Sequence, residues 1–337
     1  MRILFVAPKS HLTKSIEQVF IKRGDQVLYL NERINYLVPS FWQENYFVWK
    51  WTIRKFGKLK LLNKKIFNKR IIKIVNDFKP NILFTTKGTT ISVETAKYLR
   101  NNKVKTVNWW FENMYNDAYK KWVFAHYTNF DYFFVFDKKG ASDLKTEDTT
   151  QVKYMPMAIE SKLYEIKEIT EQDKQKFECD VVFVGALYPE REELLIKARQ
   201  KGWKIKVFGW EEWKKSQLKD VYGGSLDTSE MAKAFKLAKI SINTNLRPLS
   251  GYVNFKTFEI PASGGFQLTD NQDVLNDILI IGEEVVVFDT IDDAMEKIEY
   301  YIKHEDQRQI IIENGKKRVL RDHTIEQRIE EILSNIT

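Results

Sequence analysis

The sequence predicts an α/β protein built from two Rossmann-like domains, each a mostly parallel sheet with helices on its faces. Three observations predict it. Short apolar runs suited to strands buried on both faces alternate with segments of helical period, as a doubly wound sheet requires. That alternation dissolves over residues 139–176, where polar stretches such as TEDTTQ and EITEQDKQK intervene, and then restarts. A chain of 337 residues is long for one core and suits two of about 150. The expected bounds are 1–160, 161–320 and a terminal helix over 321–337 that packs back on the first domain.

The elements follow in order. Arg2 to Ala7 is a continuous apolar strand, and His11 to Arg23 has helical spacing, with Ile16, Val19 and Phe20 on one face. Gly24 stops that helix and Gln26 to Leu30 resumes a strand. A helix ending near Phe78 precedes strands at 81–85, 105–110 and 132–136, with helices at 92–101 and 116–126 between them. In the second half, DVVFVG (180–185) opens the series. A helix over 190–201, a strand at 204–208, a helix over 229–238 and a strand at 240–244 continue it. A short helix starts near Phe258, strands follow at 266–268 and 285–288, and the last fifty residues are helical, over 291–304 and 305–336.

Composition narrows the class. One cysteine, Cys179, excludes an internal disulfide framework and suits a reducing compartment. No apolar run approaches the roughly 18 residues a spanning helix needs, and MRILFVAP begins a strand rather than a signal peptide. A cytoplasmic protein is expected. The net charge of +8 is uneven: residues 1–164 hold 29 Lys and Arg against 14 Asp and Glu, so the first half carries +15 and the remainder −7. Trp49 to Lys73 alone contains ten Lys and Arg without an acid, interleaved with Trp51, Phe56, Leu59, Leu62, Ile66 and Phe67. A solvated basic face over a packed stripe is the ordinary fate of such a run. An anionic membrane surface or the phosphates of a nucleic acid would also match it.

The strongest local motif is SGYVNFKTFEIPASGGFQLTD, residues 250–270. Asn254, Lys256 and Thr257 stand where a helix begins and can reach an anionic ligand. Glu259 can accept two hydroxyl hydrogen bonds, and Gly264 and Gly265 let backbone come close to a ligand. A capped helix followed by a glycine turn is the structural alternative. Gly185 and Arg191, in the loop GALYPER after a buried strand, are suited to backbone approach and to a phosphate. Phe208-Gly209-Trp210 ends the next strand at the edge where open α/β sheets bind ligands, and can line a base pocket. Asn245 and Arg247 follow the strand after that.

The stretch NFKTFEIPASGGFQLTD resembles the CgeB-like (spore maturation protein) glycosyltransferases, which are related to glycosyltransferase family 4. VKTVNWWFEN, FDYFFVFDKKG, YMPMAIESKLY, CDVVFVGALYPEREELL, EMAKAFKLAKISINTN and HTIEQRIEEIL resemble further family segments in the same order, from about residue 80 to the end. The resemblance implies a GT-B fold, two Rossmann-like domains facing across a cleft, with a nucleotide-diphosphate sugar bound by the second. It implies that Glu259 is the second glutamate of an E-x7-E pair and holds the ribose, and that Lys256 lies near the diphosphate. The first glutamate of that pair falls at Gly251. The sugar detail and the anomeric outcome therefore do not carry over.

On the acceptor side, Lys87, Glu112 and Asn113 follow strands of the first half. Glu112 stands at the family's acidic turn and is one candidate base; His11, ending the first strand-to-helix loop, is another. No cofactor is expected beyond the nucleotide sugar, which is a substrate. The chain has no Asp-x-Asp and no zinc-ligand spacing, so a metal-independent transfer is expected. No GxGxxG follows the first strand, against a dinucleotide oxidoreductase. The expected acceptor is a hydroxyl of a polysaccharide or other glycoconjugate. A nucleic acid or protein acceptor, and a catalytically decayed sugar-nucleotide-binding module, are the alternatives. His304 and His323 are expected at the surface.

Overall fold

The computed structural model describes residues 1–33, 57–147, 149–245 and 251–336. It divides into two compact units, Met1–Pro156 with Ile329–Thr337, and Met157–Arg328.

The first unit is a six-stranded sheet in the order β2-β1-β3-β4-β5-β6. Its strands are β1 (Arg2–Ala7), β2 (Gln26–Asn31), β3 (Ile82–Thr85), β4 (Lys105–Trp110), β5 (Tyr132–Val135) and β6 (Gln151–Tyr154), and every pairing is parallel. The runs that build β1 and β3 are mostly apolar because both faces are covered, and β4 buries Thr106 and Asn108 beside its tryptophans: Ile3 to Ala7, Leu83, Phe84, Trp109 and Trp110 are fully buried. Helix α1 (His11–Lys22) starts on a capping box in which Ser10 and Thr13 bond reciprocally. Gly24, at φ +84°, turns the chain out of it. Helix α2 (Gly57–Phe78) buries Phe67, Ile71 and Val75 against this sheet's core. Helix α3 (Val93–Asn101) is capped by Ser92.

Strand β6 is absent from the sequence reading. Its residues QVKY carry no apolar run because an edge strand has only one neighbour. Two short helices also lie in the stretch read as patternless. They are α5 (Lys138–Asp143), after α4 (Lys120–His126), and α6 (Glu171–Phe177), which starts on a capping box between Thr170 and Asp173.

The second unit is a five-stranded parallel sheet, order β11-β10-β9-β7-β8. Its strands are β7 (Cys179–Val184), β8 (Ile205–Phe208), β9 (Ala238–Asn243), β10 (Gln267–Asp270) and β11 (Val286–Phe288). The helices are α7 (Pro189–Gln200), α8 (Thr228–Leu237), α9 (Lys256–Ala262), α10 (Ile291–Lys303) and α11 (Glu305–Asp322), while α12 (Ile325–Ser334) begins in this unit and from Ile329 belongs to the first. The sheet core gathers Val181, Phe183, Val207, Trp213, Ile240, Ile242, Phe266 and Leu268.

The C-terminal helical stretch is broken at His323-Thr324, where Ile159 and Thr324 form a β-bridge. His323 is not at the surface: it is 4% exposed. Its Nε2 faces the Ile278 carbonyl at 3.0 Å and its Nδ1 faces the Arg328 guanidinium at 2.6 Å, so the proton belongs on Nε2. Sequence alone put it outside because a lone polar residue between helices gives no sign of its partners. In the first unit, Glu330 pairs with Arg23 and the Ile336 carbonyl accepts from Lys105.

Candidate functional site

Sheet topology fixes where a ligand can enter the second unit. From β7 the chain goes outward to β8, then crosses back to β9 on the other side of β7. Helices therefore leave β7 and β9 on opposite faces, and a crevice opens between them at the carboxyl edge. Its walls are the loop after β7 and the segment after β9. Arg191, in the first turn of α7, ties the two together. Its Nε donates to Thr244 Oγ1 at 2.7 Å, one terminal nitrogen donates to the Thr244 carbonyl at 2.9 Å, and the other to the Ala186 carbonyl at 2.9 Å. The guanidinium also lies over the Tyr188 ring, 4.8 Å from its centroid. Burial lowers its pKa, yet the group stays cationic. With three of its five N–H donors committed to the protein, Arg191 is the brace of the crevice.

Gly185 and Gly209 meet at the same edge. A Cβ at Gly209, where φ is +148°, would stand 2.1 Å from the Gly185 carbonyl oxygen. That oxygen accepts the Trp213 indole N–H at 2.8 Å. Gly209 N–H donates to the Gly224 carbonyl at 2.9 Å, and its own carbonyl accepts from Tyr222 Oη and Ser225 Oγ at 3.0 and 3.2 Å. The close approach that Gly209 permits is of one loop to the other, whereas a Cβ at Gly185 would press on the Phe183 ring at 3.1 Å.

Beyond β9 an amide network prepares the start of α9. Asp270 Oδ1 accepts from Asn245 N–H and Nδ2 at 2.8 and 3.0 Å, and its Oδ2 accepts from Gln272 at 2.9 Å. Asn245 Oδ1 accepts from Asn254 N–H at 2.9 Å. Asn254 Nδ2 donates to Asn243 Oδ1 at 2.8 Å, and its Oδ1 caps Lys256 N–H at 2.9 Å. Asn243 in turn donates to Thr257 Oγ1 at 3.3 Å. Asn245, Asn254 and Thr257 are thus framework: each side chain is satisfied internally, and Thr257 is fully buried. They hold half-buried Lys256 at the carboxyl edge, where it forms no ion pair or side-chain hydrogen bond among the described residues.

Glu259, one turn further on, is half-buried. Tyr164 Oη donates to its Oε1 at 2.7 Å. Burial, reinforced by that carboxylate, raises the tyrosine pKa, so the phenol keeps its proton. The bond fixes the carboxylate and turns Oε2 toward any second donor.

Gly264 and Gly265 are placed differently from the sequence expectation. They follow the far end of α9, about 10 Å from its start. A Cβ at Gly265 would lie 2.7 Å from the Phe235 carbonyl oxygen, so the tight approach is to α8. A cavity of about 700 Å³ lies there, among Lys162, Lys236, Ser263 and Lys316. It borders the negative end of the α9 dipole and lies away from the switch point. A cavity of about 350 Å³ at the carboxyl edge is lined by Tyr188, Arg191, Thr244, Asn245, Asp270 and Phe288. Arg247 lies outside the described residues.

The first unit repeats the logic. From β1 the chain goes to β2 on one side and crosses to β3 on the other, so its switch point lies between the loops after β1 and β3. His11, exposed at the first position of α1, belongs to one loop and Lys87 to the other. Lys87 Nζ lies 2.7 Å from Glu112 Oε1 and donates to Tyr119 Oη at 3.0 Å. Burial works to lower the ammonium pKa, but these two partners more than offset it and the net shift is upward. Asn108 holds the Lys87 carbonyl at 2.9 Å. Asn113 does something else: its Oδ1 caps Tyr115 N–H at 2.9 Å and shapes the turn.

Several residues escaped the sequence reading. Tyr164, Thr244 and Tyr119 were missed because each acts through a partner distant in sequence. Glu32, at the end of β2, is 7% exposed and accepts from Thr90 Oγ1 at 3.2 Å. Burial pushes its carboxyl up to about 7. A charged residue closing an apolar strand was the available signal.

Comparison with known proteins places this arrangement in a class. Residues 191–334 match the model of the glycosyl transferase-like family. Comparison of the chain with curated proteins gives no match. Among solved structures, HepE of Anabaena, in complex with UDP and glucose, superposes with a TM-score of 0.65 at 11% identity, over 99% of this chain and all of that one. Sucrose-phosphate synthase of Thermosynechococcus elongatus gives 0.68 at 10% identity, over 100% and 99%. A glycosyltransferase of Rickettsia africae gives 0.65 at 12% identity, over 99% and 97%. The fold is that of the GT-B glycosyltransferases. Fold and matched domain together support a glycosyltransferase.

Proposed function

We propose that the chain transfers a sugar from a nucleotide-diphosphate sugar to a hydroxyl acceptor, with the donor bound at the switch-point crevice of the second unit. One observation carries the reading: that edge presents a lysine, Lys256, without an anionic partner among the described residues, one turn from a carboxylate fixed by Tyr164. The amides of that edge are spent on one another, and these two groups suit a ligand with an anionic and a hydroxyl part. HepE, crystallised with UDP and glucose, makes UDP the first probe.

In the transfer, the acceptor oxygen bonds to the anomeric carbon as the bond from that carbon to the diphosphate breaks. The acceptor proton passes to a base, and the nucleoside diphosphate leaves with added negative charge. Lys256 offsets that charge in place of a divalent cation, so the reaction is metal-independent in this reading. Glu259 Oε2 accepts a ribose hydroxyl. Glu112 is the first candidate base and His11 the second. Protonating Glu112 would release its ion pair with Lys87, which couples proton transfer to this cluster.

The acceptor is a polysaccharide or glycoconjugate, and kinship to the CgeB-like enzymes is part of the proposal. Among the described residues no helix is long and apolar enough to cross a membrane. Exposed Leu61 and Leu62 beside Lys65, Lys69 and Lys73 on α2 suit peripheral contact with an anionic surface at the cytoplasmic face; the segment 49–56 of that basic run lies outside the described residues.

Thermal-shift and calorimetric titration with UDP, GDP, ADP, CMP and TDP tests the donor site. One nucleotide should bind, and Lys256→Ala and Glu259→Ala should each weaken it about tenfold, about 1.4 kcal/mol. If no nucleotide binds the native chain, the donor assignment fails. If one binds but no sugar is released or transferred, the chain is a binding module.

A further inference from the structure

The geometry points to Trp210 as the platform on which the nucleobase of the donor stacks. The inference rests on the donor reading above and deepens it.

Trp210 is 68% exposed, the largest fraction among the large exposed hydrophobics of the described residues. It makes no ring contact or side-chain hydrogen bond there, while the other tryptophan of this loop, Trp213, is fully buried and bonded to Gly185. A single exposed indole is ordinary in itself, so the case for Trp210 lies in where it stands. Its location gives it a use. It follows directly from β8, whose neighbour β7 forms one wall of the switch-point crevice. The strand β9, whose outgoing segment carries Lys256, lies on the other side of β7. The ends of β8 and β9 are therefore two strand spacings apart, about 10 Å. That interval suits one nucleotide, with its phosphates toward Lys256 and its base toward Trp210.

The residue before Trp210 makes the platform rigid. Gly209 is held by the contact with Gly185, by Gly224, and by the hydroxyls of Tyr222 and Ser225. A stacking surface loses least entropy on binding when its base is already fixed. Stacking on an aromatic face is tolerant of base identity, because every base has a π-face. Trp210 should therefore set the affinity for a nucleobase as such, and leave the choice among bases to other groups.

The test compares native protein, Trp210→Ala and Trp210→Phe by calorimetry, with the preferred nucleoside diphosphate and with pyrophosphate as a probe lacking the base. Trp210→Ala should weaken the nucleotide about tenfold or more, leave pyrophosphate within about twofold, and leave the melting temperature unchanged. Trp210→Phe should keep most of the affinity. If Trp210→Ala binds the nucleotide like the native chain while Lys256→Ala does not, stacking is overturned and the donor site stands. Equal weakening of nucleotide and pyrophosphate would also overturn it, since that signals a disturbed loop. If the native chain binds neither probe, both readings fall together.

Discussion

The two sheets are built alike, yet their carboxyl edges are furnished differently. The second unit fills its edge with neutral amides: Asn243, Asn245 and Asn254 bond to one another, to backbone and to Asp270, and Arg191 braces the walls through carbonyl and hydroxyl oxygens. Lys256 is left over. The first unit instead pairs its charges, Lys87 with Glu112, and buries Glu32 close by. The lesson concerns preorganisation. An amide lattice anchored on Asp270 fixes the start of α9 without pairing Lys256, so it presents that lysine at fixed geometry. A paired lattice stores its charges until something exchanges a proton or displaces a partner.

Three perturbations separate the two edges. The largest effect is expected at the second. Gly209→Ala sets a methyl group against the backbone oxygen of Gly185, where no side chain can swing away, and adds strain at positive φ. Together these should cost about 3 kcal/mol or more. Denaturant unfolding followed by Trp213 fluorescence measures it, and a loss below about 1 kcal/mol would mean that the loops are not stitched together as described.

The second contrast is in pH. In the first unit, burial raises the Glu32 carboxyl from 4.5 to about 7. The folded state then binds more protons than the unfolded state between those values. The stabilisation is whole below about 4.5 and is lost as pH rises toward 7. In the second unit, burial and then the Arg328 charge lower His323 from 6.5 to about 4. Here the unfolded state binds more protons. Stability is whole above about 6.5 and is lost as pH falls toward 4. Each shift corresponds to about 3 kcal/mol as an order of magnitude. Hydrogen exchange read separately in the two units between pH 4.5 and 6.5 should show opposite slopes. Glu32→Gln should flatten the first and His323→Gln the second, and parallel slopes would refute the assignment.

The smallest effect tests the amide lattice. Asp270→Ala removes the acceptor for two Asn245 donors and one from Gln272, and should cost about 2 kcal/mol. The position of Lys256 depends on that lattice, so nucleotide affinity should fall as well. A stable variant with native affinity would show that Asn243 and Asn254 hold the edge unaided.

The legibility of these features follows their range in sequence. Strands β1 and β7 could be read directly because burial on both faces leaves apolar runs, ILFVA and VVFV. The edge strand β6 could not, and the capping box at Thr170 and Asp173, a local signal, was there to be read. At the site, a short helix near Phe258 was legible, because capping and spacing are matters of a few residues; it starts at Lys256 and so carries both Lys256 and Glu259. Thr257 was read as facing a ligand, yet it lies fully buried against Asn243. Gly264 and Gly265 were assigned to a ligand, yet they serve the contact with α8.

The sequence by itself determined the class of fold and the order of most of its strands and helices. Both depend on hydrophobic period and on signals within about a helical turn. Only the tertiary structure decided that Arg191 braces Ala186 to Thr244, that Tyr164 fixes Glu259, that Lys87 pairs with Glu112, and that Glu32 and His323 are withdrawn from water. Each of those depends on which strands and loops become neighbours, and desolvation and pairing exist only once the sheets have formed.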